Sequence, residues 1–358
     1  MSFLNRLDIK LVAAALGLML FGILVLLSSG GELFARQLIW LIPALIFLVG
    51  IPQLNIKAIL TYRWMRWGLY LGALALLLIT YFVAPTIGGA KSWIKLGAFQ
   101  IQPSEFMKAA MVIFLSGFFA LRHVAIARLG IIIASFIYMI VPVFLILIQP
   151  DLGTALILFA IWFGYLLVSG IKKKHLLIAF MIFSIIAVVS WGFLLADYQK
   201  ARIAGLFSPE SDPLGINYNV IQSKIAIGSG GFLGKGFGQG TQVHLGFLPA
   251  AHTDFVFSAF VEEWGLLGGA MLIALFVYLI QRVLVLGKES DNNFARLVAL
   301  GTALMLIIHF IINMGSATGL LPVIGVGLPL VSYGGSNLLT ATFLLGIVQA
   351  ISNRKIIA

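Results

Sequence analysis

The stretch LVAAALGLMLFGILVLL, residues 11–27, holds no charged or polar side chain. An α-helix rises about 1.5 Å per residue, so roughly 20 apolar residues cross the ~30 Å hydrocarbon core of a bilayer. The run is longer than most signal-peptide cores, and no small-residue cleavage pattern follows it. Further apolar runs come after it, so it reads as a retained transmembrane helix. Working outward, runs of similar length recur at about 36–52, 67–84, 104–121, 130–148, 153–170, 176–195, 256–281, 297–314 and 337–352. With 10–28 they predict about ten spans and an all-α polytopic membrane protein.

Composition agrees. Of the 358 residues, 61% are hydrophobic and only 10% charged, with a mean hydropathy of +1.10. Soluble domains carry roughly 45–50% apolar and about 25% charged residues, so one globular core cannot hide this surface. There is no cysteine, which excludes disulfides, thiolate metal sites and cysteine nucleophiles. The net charge of +11 does not point to nucleic acid, because the basic residues sit in short clusters between apolar runs.

Those clusters set the orientation. With a cytoplasmic N-terminus, the inner segments hold Arg6, Lys10, Lys57, Arg63, Arg66, Arg122, Arg128, Lys172, Lys173, Lys174, Arg282, Lys288, Arg296, Arg354 and Lys355, about 15 of the 23 basic residues. This is the positive-inside pattern, and it puts both termini in the cytoplasm. The expected localisation is the bacterial cytoplasmic (inner) membrane.

The chain reads as a single integral membrane domain, 1–358, with one large extracytoplasmic loop, 196–254, between the seventh and eighth helices. A connection of that length is usually functional or disordered. This one mixes glycines with Ile225, Phe232, Phe237, Leu245, Phe247 and Leu248, a composition suited to folding back on the membrane face. The chemistry is therefore sought on the outer side.

Ionisable groups at membrane depth are costly, and by default they mark function. In Gln102-Pro103-Ser104-Glu105-Phe106-Met107-Lys108 the proline opens a helix, and Glu105 and Lys108 share a face three residues apart. They form either a structural ion pair or a contact to a phosphorylated or hydroxyl-rich substrate. Asp151, in Gln149-Pro150-Asp151-Leu152-Gly153-Thr154, either caps the sixth span or neutralises Lys108. Asp254, in His252-Thr253-Asp254-Phe255, either caps the eighth helix or acts as a half-desolvated general base. Glu262 falls eight residues beyond Asp254, roughly on its side of the helix, and with Glu263 it either makes structural hydrogen bonds or binds a cation.

Other motifs fail. Residues 228–236, GSGGFLGKG, lack the spacing of a phosphate-binding P-loop. The five histidines show no zinc spacing. Ser332-Tyr333-Gly334-Gly335-Ser336 is not a nucleophile elbow.

The strings GAKSWIKLGAFQIQPSEFMK (89–108), QPDLGT (149–154), DPLGINYNVIQSKIAIGSGGFLGKGFGQGTQ (212–242), FLPAAHTDFVF (247–257) and TGLLPVIGVGLPLVSYGGSN (318–337) resemble the SEDS family (shape, elongation, division and sporulation), and most closely its rod-shape branch. The resemblance covers nearly the whole chain, in order and on the expected outer side. It implies a peptidoglycan glycosyltransferase that polymerises lipid II, a disaccharide-pentapeptide on undecaprenyl pyrophosphate, for cell elongation and rod shape. It also implies a class B penicillin-binding protein as partner.

The family's acidic TDF residue maps onto Asp254, the catalytic or metal-associated carboxylate. Its QPSE…K pair maps onto Glu105 and Lys108, and its loop tryptophan onto Trp93. The expected substrate contacts are Glu105, Lys108, Trp93, Lys91, Lys95, Asp151, His252 and Thr253. No tightly bound cofactor is expected, and a divalent magnesium or manganese ion stays open. The chain departs from the pattern at Ser92, commonly arginine, at Ala250, often an acid, and at Gly327, a proline elsewhere.

The resulting hypothesis has Asp254 remove a proton from the sugar 4-hydroxyl of incoming lipid II. That oxygen displaces undecaprenyl pyrophosphate from the growing strand, with inversion, while Lys91, Lys95, Lys108 or a metal meets the developing charge. Two other classes remain. One is a lipid II flippase, for which no internal repeat or paired broken helix is visible in the sequence. The other is a non-catalytic scaffold for a penicillin-binding protein.

Overall fold

The computed structural model describes residues 6–29, 31–86, 91–97, 99–122, 128–170, 172–178, 181, 191–192, 197–208, 212–215 and 217–352. The chain is a polytopic α-helical membrane protein. Among the described residues, eight helices are long and apolar enough to cross a membrane. They are α1 (Ile9–Ser29), α2 (Glu32–Leu45, prolonged through a π turn and a 3-10 turn to Gln53), α4 (Arg63–Val83), α5 (Pro103–Ala120), α6 (Leu129–Ile148), α11 (Val256–Glu289), α12 (Asn293–Thr318) and α13 (Gly335–Ser352). A ninth, α7 (Leu152–Val168), is apolar and slightly shorter. Short helices α3 (Ile56–Thr61), α8 (Asp197–Phe207), α9 (Tyr218–Ser229) and α10 (Thr241–His244) lie in the connections. The expected span at 176–195 falls largely outside the described residues, as do Arg354 and Lys355.

The least hydropathic spans are the innermost ones. The spanning windows of α5 and α13 are 89% buried, whereas α2, α4 and α6 bury only 22–28% of theirs. Lipid is as apolar as leucine, so burial in a bilayer follows polarity and close packing rather than hydrophobicity. Accordingly α5 carries the buried Ser104, Glu105, Lys108 and Ser116 and packs on α4, α12 and α13. The outer helices turn Ile42, Phe82 and Phe144 outward. Such a surface suits lipid and not water.

Two features depart from the sequence reading. First, β1 (Ile94–Leu96) and β2 (Phe99–Ile101) pair as a two-stranded antiparallel hairpin, with Ile94 opposite Ile101. Second, α11 is broken at Gly265, where φ is 69° and ψ −175°, although the sequence reading saw no broken helix. A break leaves carbonyls and amides without helical partners, which lipid cannot satisfy.

The glycine-rich loop fills that gap. Lys235 N–H donates to Glu262 O and Gly236 N–H to Glu263 O, both at 3.0 Å. Leu266 N–H donates to Gly231 O at 2.9 Å and Leu267 N–H to Phe232 O at 3.1 Å. A Cβ on Gly265 would fall 2.5 Å from the Leu233 carbonyl carbon, so the strand can pass only over glycine. Residues 231–236 of the GSGGFLGKG stretch thus plug the break in α11.

Candidate active site

The C-terminal ends of α1 and α12 and the N-terminal ends of α5, α7, α11 and α13 meet at one end of the bundle. Side-chain hydrogen bonds pin them there. Gln102 N–H donates to Ser336 Oγ at 3.0 Å, joining the hairpin's end to α13. Gln102 Nε2 and Ser104 Oγ donate to Asp151 Oδ2 at 3.0 and 3.2 Å. Asp151 Oδ1 accepts from Thr154 N–H at 3.0 Å and caps α7. Asp151 is therefore engaged with Gln102, Ser104 and its own helix, not with Lys108.

Lys108 is fully buried. Its Nζ lies 2.7 Å from Glu105 Oε1 and 2.9 Å from His309 Nε2. Across the same ring, His309 Nδ1 lies 3.0 Å from Gly327 O. Because an ammonium only donates, His309 accepts at Nε2 and donates at Nδ1 to the carbonyl. Glu105 Oε2 is buried without a hydrogen-bond partner among the described residues. The chain Glu105–Lys108–His309 thus ties α5 through α12 to the 325–333 segment.

That segment grips the residues around Asp254. Tyr333 N–H donates to His252 O at 2.8 Å. Ser332 Oγ donates to Thr253 O at 2.6 Å and accepts from Leu328 N–H at 2.7 Å. Asn313, one turn beyond His309 on α12, donates through Nδ2 to Asp254 O and to Val326 O, both at 2.9 Å. Three successive carbonyls are therefore held from outside their own turn. Asp254 itself is half-buried, and a Cβ on Gly325 would sit 4.0 Å from its Oδ2. Helix α11 begins with Phe255 at its cap position and has no side-chain cap bond there. Ala250, at φ 53°, accepts from both Thr253 N–H and Phe255 N–H. A left-handed alanine is a strained position, tolerated where surroundings over-determine the turn. Burial lowers the His252 pKa, which keeps the ring neutral, with Ser29 Oγ 3.4 Å from Nδ1.

The other expected residues lie elsewhere. Lys91 and Lys95 are exposed and Trp93 is half-buried on the hairpin arm. Among the described residues no hydrogen bond or ion pair joins them to Asp254. Glu262 and Glu263 serve the loop. Glu262 Oε1 accepts from Lys235 Nζ at 2.6 Å and Gln242 N–H at 2.9 Å, while Glu263 Oε1 meets Ser28 Oγ and, at 3.3 Å, His244 Nε2. Neither joins Asp254. Among the described residues no group of three or more His, Cys, Asp or Glu could hold a metal ion.

His309, Asn313, Ser332 and Ser336 were missed in the sequence. The signal was present for two of them. His309 and Asn313, four apart in an apolar span, fall under the same membrane-polarity rule that picked out Glu105 and Lys108.

In chemical terms the arrangement is a carboxylate at the mouth of a helical bundle, its backbone fixed and a buried cation chain behind it. Comparison with known proteins adds the following. The model of the FtsW/RodA/SpoVE family, described as cell cycle protein, matches residues 9–356. The peptidoglycan glycosyltransferase MrdB of Escherichia coli K12 is 36% identical over 357 residues, covering 99% of this chain and 95% of that protein. A chain of a solved structure, described as structural coordination of polymerization and crosslinking by a peptidoglycan synthase complex, superposes with a TM-score of 0.82 at 30% identity, over 98% of this chain and 99% of the other. The crystal structure of the rod shape determining protein RodA of Thermus thermophilus gives a TM-score of 0.72 at 29% identity, with 98% of both chains covered.

Proposed function

The chain belongs to the SEDS family of FtsW/RodA/SpoVE proteins and is a peptidoglycan glycosyltransferase of the rod-shape kind; from that premise we propose that Asp254 is its general base. Its substrate is lipid II, and the reaction takes place at the outer face of a bacterial cytoplasmic membrane. The acceptor's 4-hydroxyl gives its proton to the Asp254 carboxylate. The oxygen forms a bond to the donor's anomeric carbon as the bond from that carbon to the diphosphate oxygen breaks. The electron pair leaves on undecaprenyl pyrophosphate, and the configuration inverts.

One observation carries this reading. The carbonyls of His252, Thr253 and Asp254 are each fixed by a different donor, from Tyr333, Ser332 and Asn313. A base must be held within a fraction of an ångström to act. Here the backbone does the holding, through donors from three separate positions. The exposed Lys91 and Lys95 suit the leaving diphosphate, and Lys108 supports the 325–333 segment through His309. No tightly bound cofactor is proposed, and no step is routed through a metal.

The opposite end of the bundle carries Arg6, Arg63, Arg66, Arg122, Arg282 and Arg296, which supports a cytoplasmic placement for it and for both termini. A class B penicillin-binding protein is the proposed partner, supported by likeness to a chain solved within a synthase complex. The break at Gly265 is a feature a transporter would share. It is bridged by residues 231–236 of the same chain, which supports the polymerase reading over the flippase.

The test is polymerisation of labelled lipid II by purified wild type and Asp254→Ala, each with and without chelator. Loss of polymer in the variant is expected. Near-normal product would overturn the assignment, and a loss on chelation in the wild type would bring a divalent ion into the reaction. Lipid II flipping in proteoliposomes without polymer would favour a flippase, and complementation by a normally bound Asp254→Ala would favour a scaffold.

A further inference from the structure

At the basic end, far along the bundle from Asp254, a small cavity of about 70 Å³ opens where α4, α5 and α6 meet. Its lining includes Arg63, Arg66, Arg122, Trp67, Phe118 and Tyr138, with no carboxylate. Arg66 is the unusual member. It is only 9% exposed, and among the described residues it makes no hydrogen bond or ion pair. Its guanidinium sits 5.6 Å from the Phe294 ring centroid and lines the cavity. Topology alone asks for basic side chains in water at the cytoplasmic face. It does not ask for a buried one.

The surroundings are shaped to admit this group. A Cβ on Gly117 would lie 2.7 Å from Arg66 Cζ, so α5 is hollowed beneath the guanidinium. Arg122 spends one N–H on Phe118 O at 3.1 Å and stacks at 4.1 Å on the Phe118 ring. Behind the arginines stands an apolar wall in which Trp67, Phe114 and Tyr138 meet edge to face at 4.9–5.5 Å. Beside Arg63 the exposed rings of Tyr62 and Trp64 point outward, the mark of the headgroup level. A buried cation is stable when an anion meets it. Here an aromatic wall adjoins that anion's place at the membrane interface.

We propose that this crevice binds the phosphate headgroup of an anionic glycerophospholipid, with Arg66 and Arg122 on the phosphodiester and the aromatic wall against the upper acyl chain. The proposal depends on the membrane reading of the fold and not on the glycosyltransfer chemistry.

Lipid retention decides it. Purified full-length protein in nonionic detergent is mixed with phosphatidylglycerol or phosphatidylcholine, and bound lipid is counted by native mass spectrometry. Wild type should retain phosphatidylglycerol preferentially. Arg66→Gln and Arg122→Gln should each lower that retention about five-fold, the effect of one basic group near an anionic surface. The exposed Arg128, changed to Gln, should leave it unaltered. Gly117→Ala keeps every charge and should weaken retention by displacing Arg66, which keeps the proposal testable if Arg66→Gln does not fold. Equal retention by wild type, Arg122→Gln and Gly117→Ala would overturn the site. So would an equal loss in Arg128→Gln. Displacement of the lipid by inorganic phosphate at similar concentration would overturn the lipid as the source of the phosphate.

Discussion

Two turns at the same end of the bundle each place an aspartate before a transmembrane helix, and the fold treats them differently. In 149–154 the Asp151 carboxylate is consumed by structure, since one oxygen caps α7 and the other accepts from Gln102 and Ser104. In 252–255 the structure holds the backbone instead, through Asn313, Ser332 and Tyr333, and α11 starts without a side-chain cap bond. A carboxylate that must move a proton is better positioned by its main chain than by bonds to its own oxygens, because those bonds stabilise the charged form and weaken the base. The contrast agrees with the proposal that the first turn is scaffolding and the second carries chemistry.

The largest expected effect comes from the chain behind the second turn. Lys108→Met strands the Glu105 charge in the core, and breaking such a pair costs about 3–5 kcal/mol. Thermal unfolding in detergent should show it, with much of the loss recovered in Lys108→Met/Glu105→Gln. Next comes Asn313→Ala, which takes the donor from the Val326 carbonyl, buried, at about 1–3 kcal/mol, and from the half-buried Asp254 carbonyl. Lipid II polymerisation should also fall by about a hundred-fold, since a displacement of about 1 Å at a reacting group is enough. A variant that loses stability but keeps full activity would break the link between the backbone clamp and catalysis.

Asp151→Ala should cost about 1 kcal/mol for the lost cap. An unchanged thermal midpoint would show that the first turn is not scaffolding. The smallest effect belongs to a third aspartate, Asp8, at the opposite end. Burial pushes its carboxyl up, but the Arg282 hydrogen bonds, the Leu11 amide and the charges of Arg282 and Lys10 more than reverse this, so its pKa is lowered. A depressed carboxylate contributes stability above its unfolded pKa of about 3.9, and that contribution is lost as pH falls through the folded value. Asp8→Asn should lower the stability at pH 7 by about 0.5 kcal/mol and flatten its decline on the acid side.

How much of this the sequence disclosed follows from what hydropathy can see. The helical membrane class was legible in runs such as 11–27, because span length is set by bilayer thickness. Glu105, Lys108, Asp151 and Asp254 stood out because charge at membrane depth is rare. The break at Gly265 was invisible. Trp264-Gly265-Leu266 reads as continuous helix, and only the packing of 231–236 against it forces the glycine's φ of 69°. Asp151 and Asp254 could not be told apart, since both precede apolar helices and capping depends on a dihedral one residue away. The clamp itself joins residues 59 and 79 positions apart, Asn313 to Asp254 and Ser332 to Thr253. No local spacing encodes such a contact.

The most direct measurement compares wild type with the isosteric Asp254→Asn, both purified to the same thermal midpoint and given labelled lipid II. A general base contributes about 10²–10⁴ in rate. Glycan formation should therefore drop by that factor while folding and lipid II binding stay unchanged. Polymer made by Asp254→Asn at the wild-type rate would contradict the role given to this carboxylate.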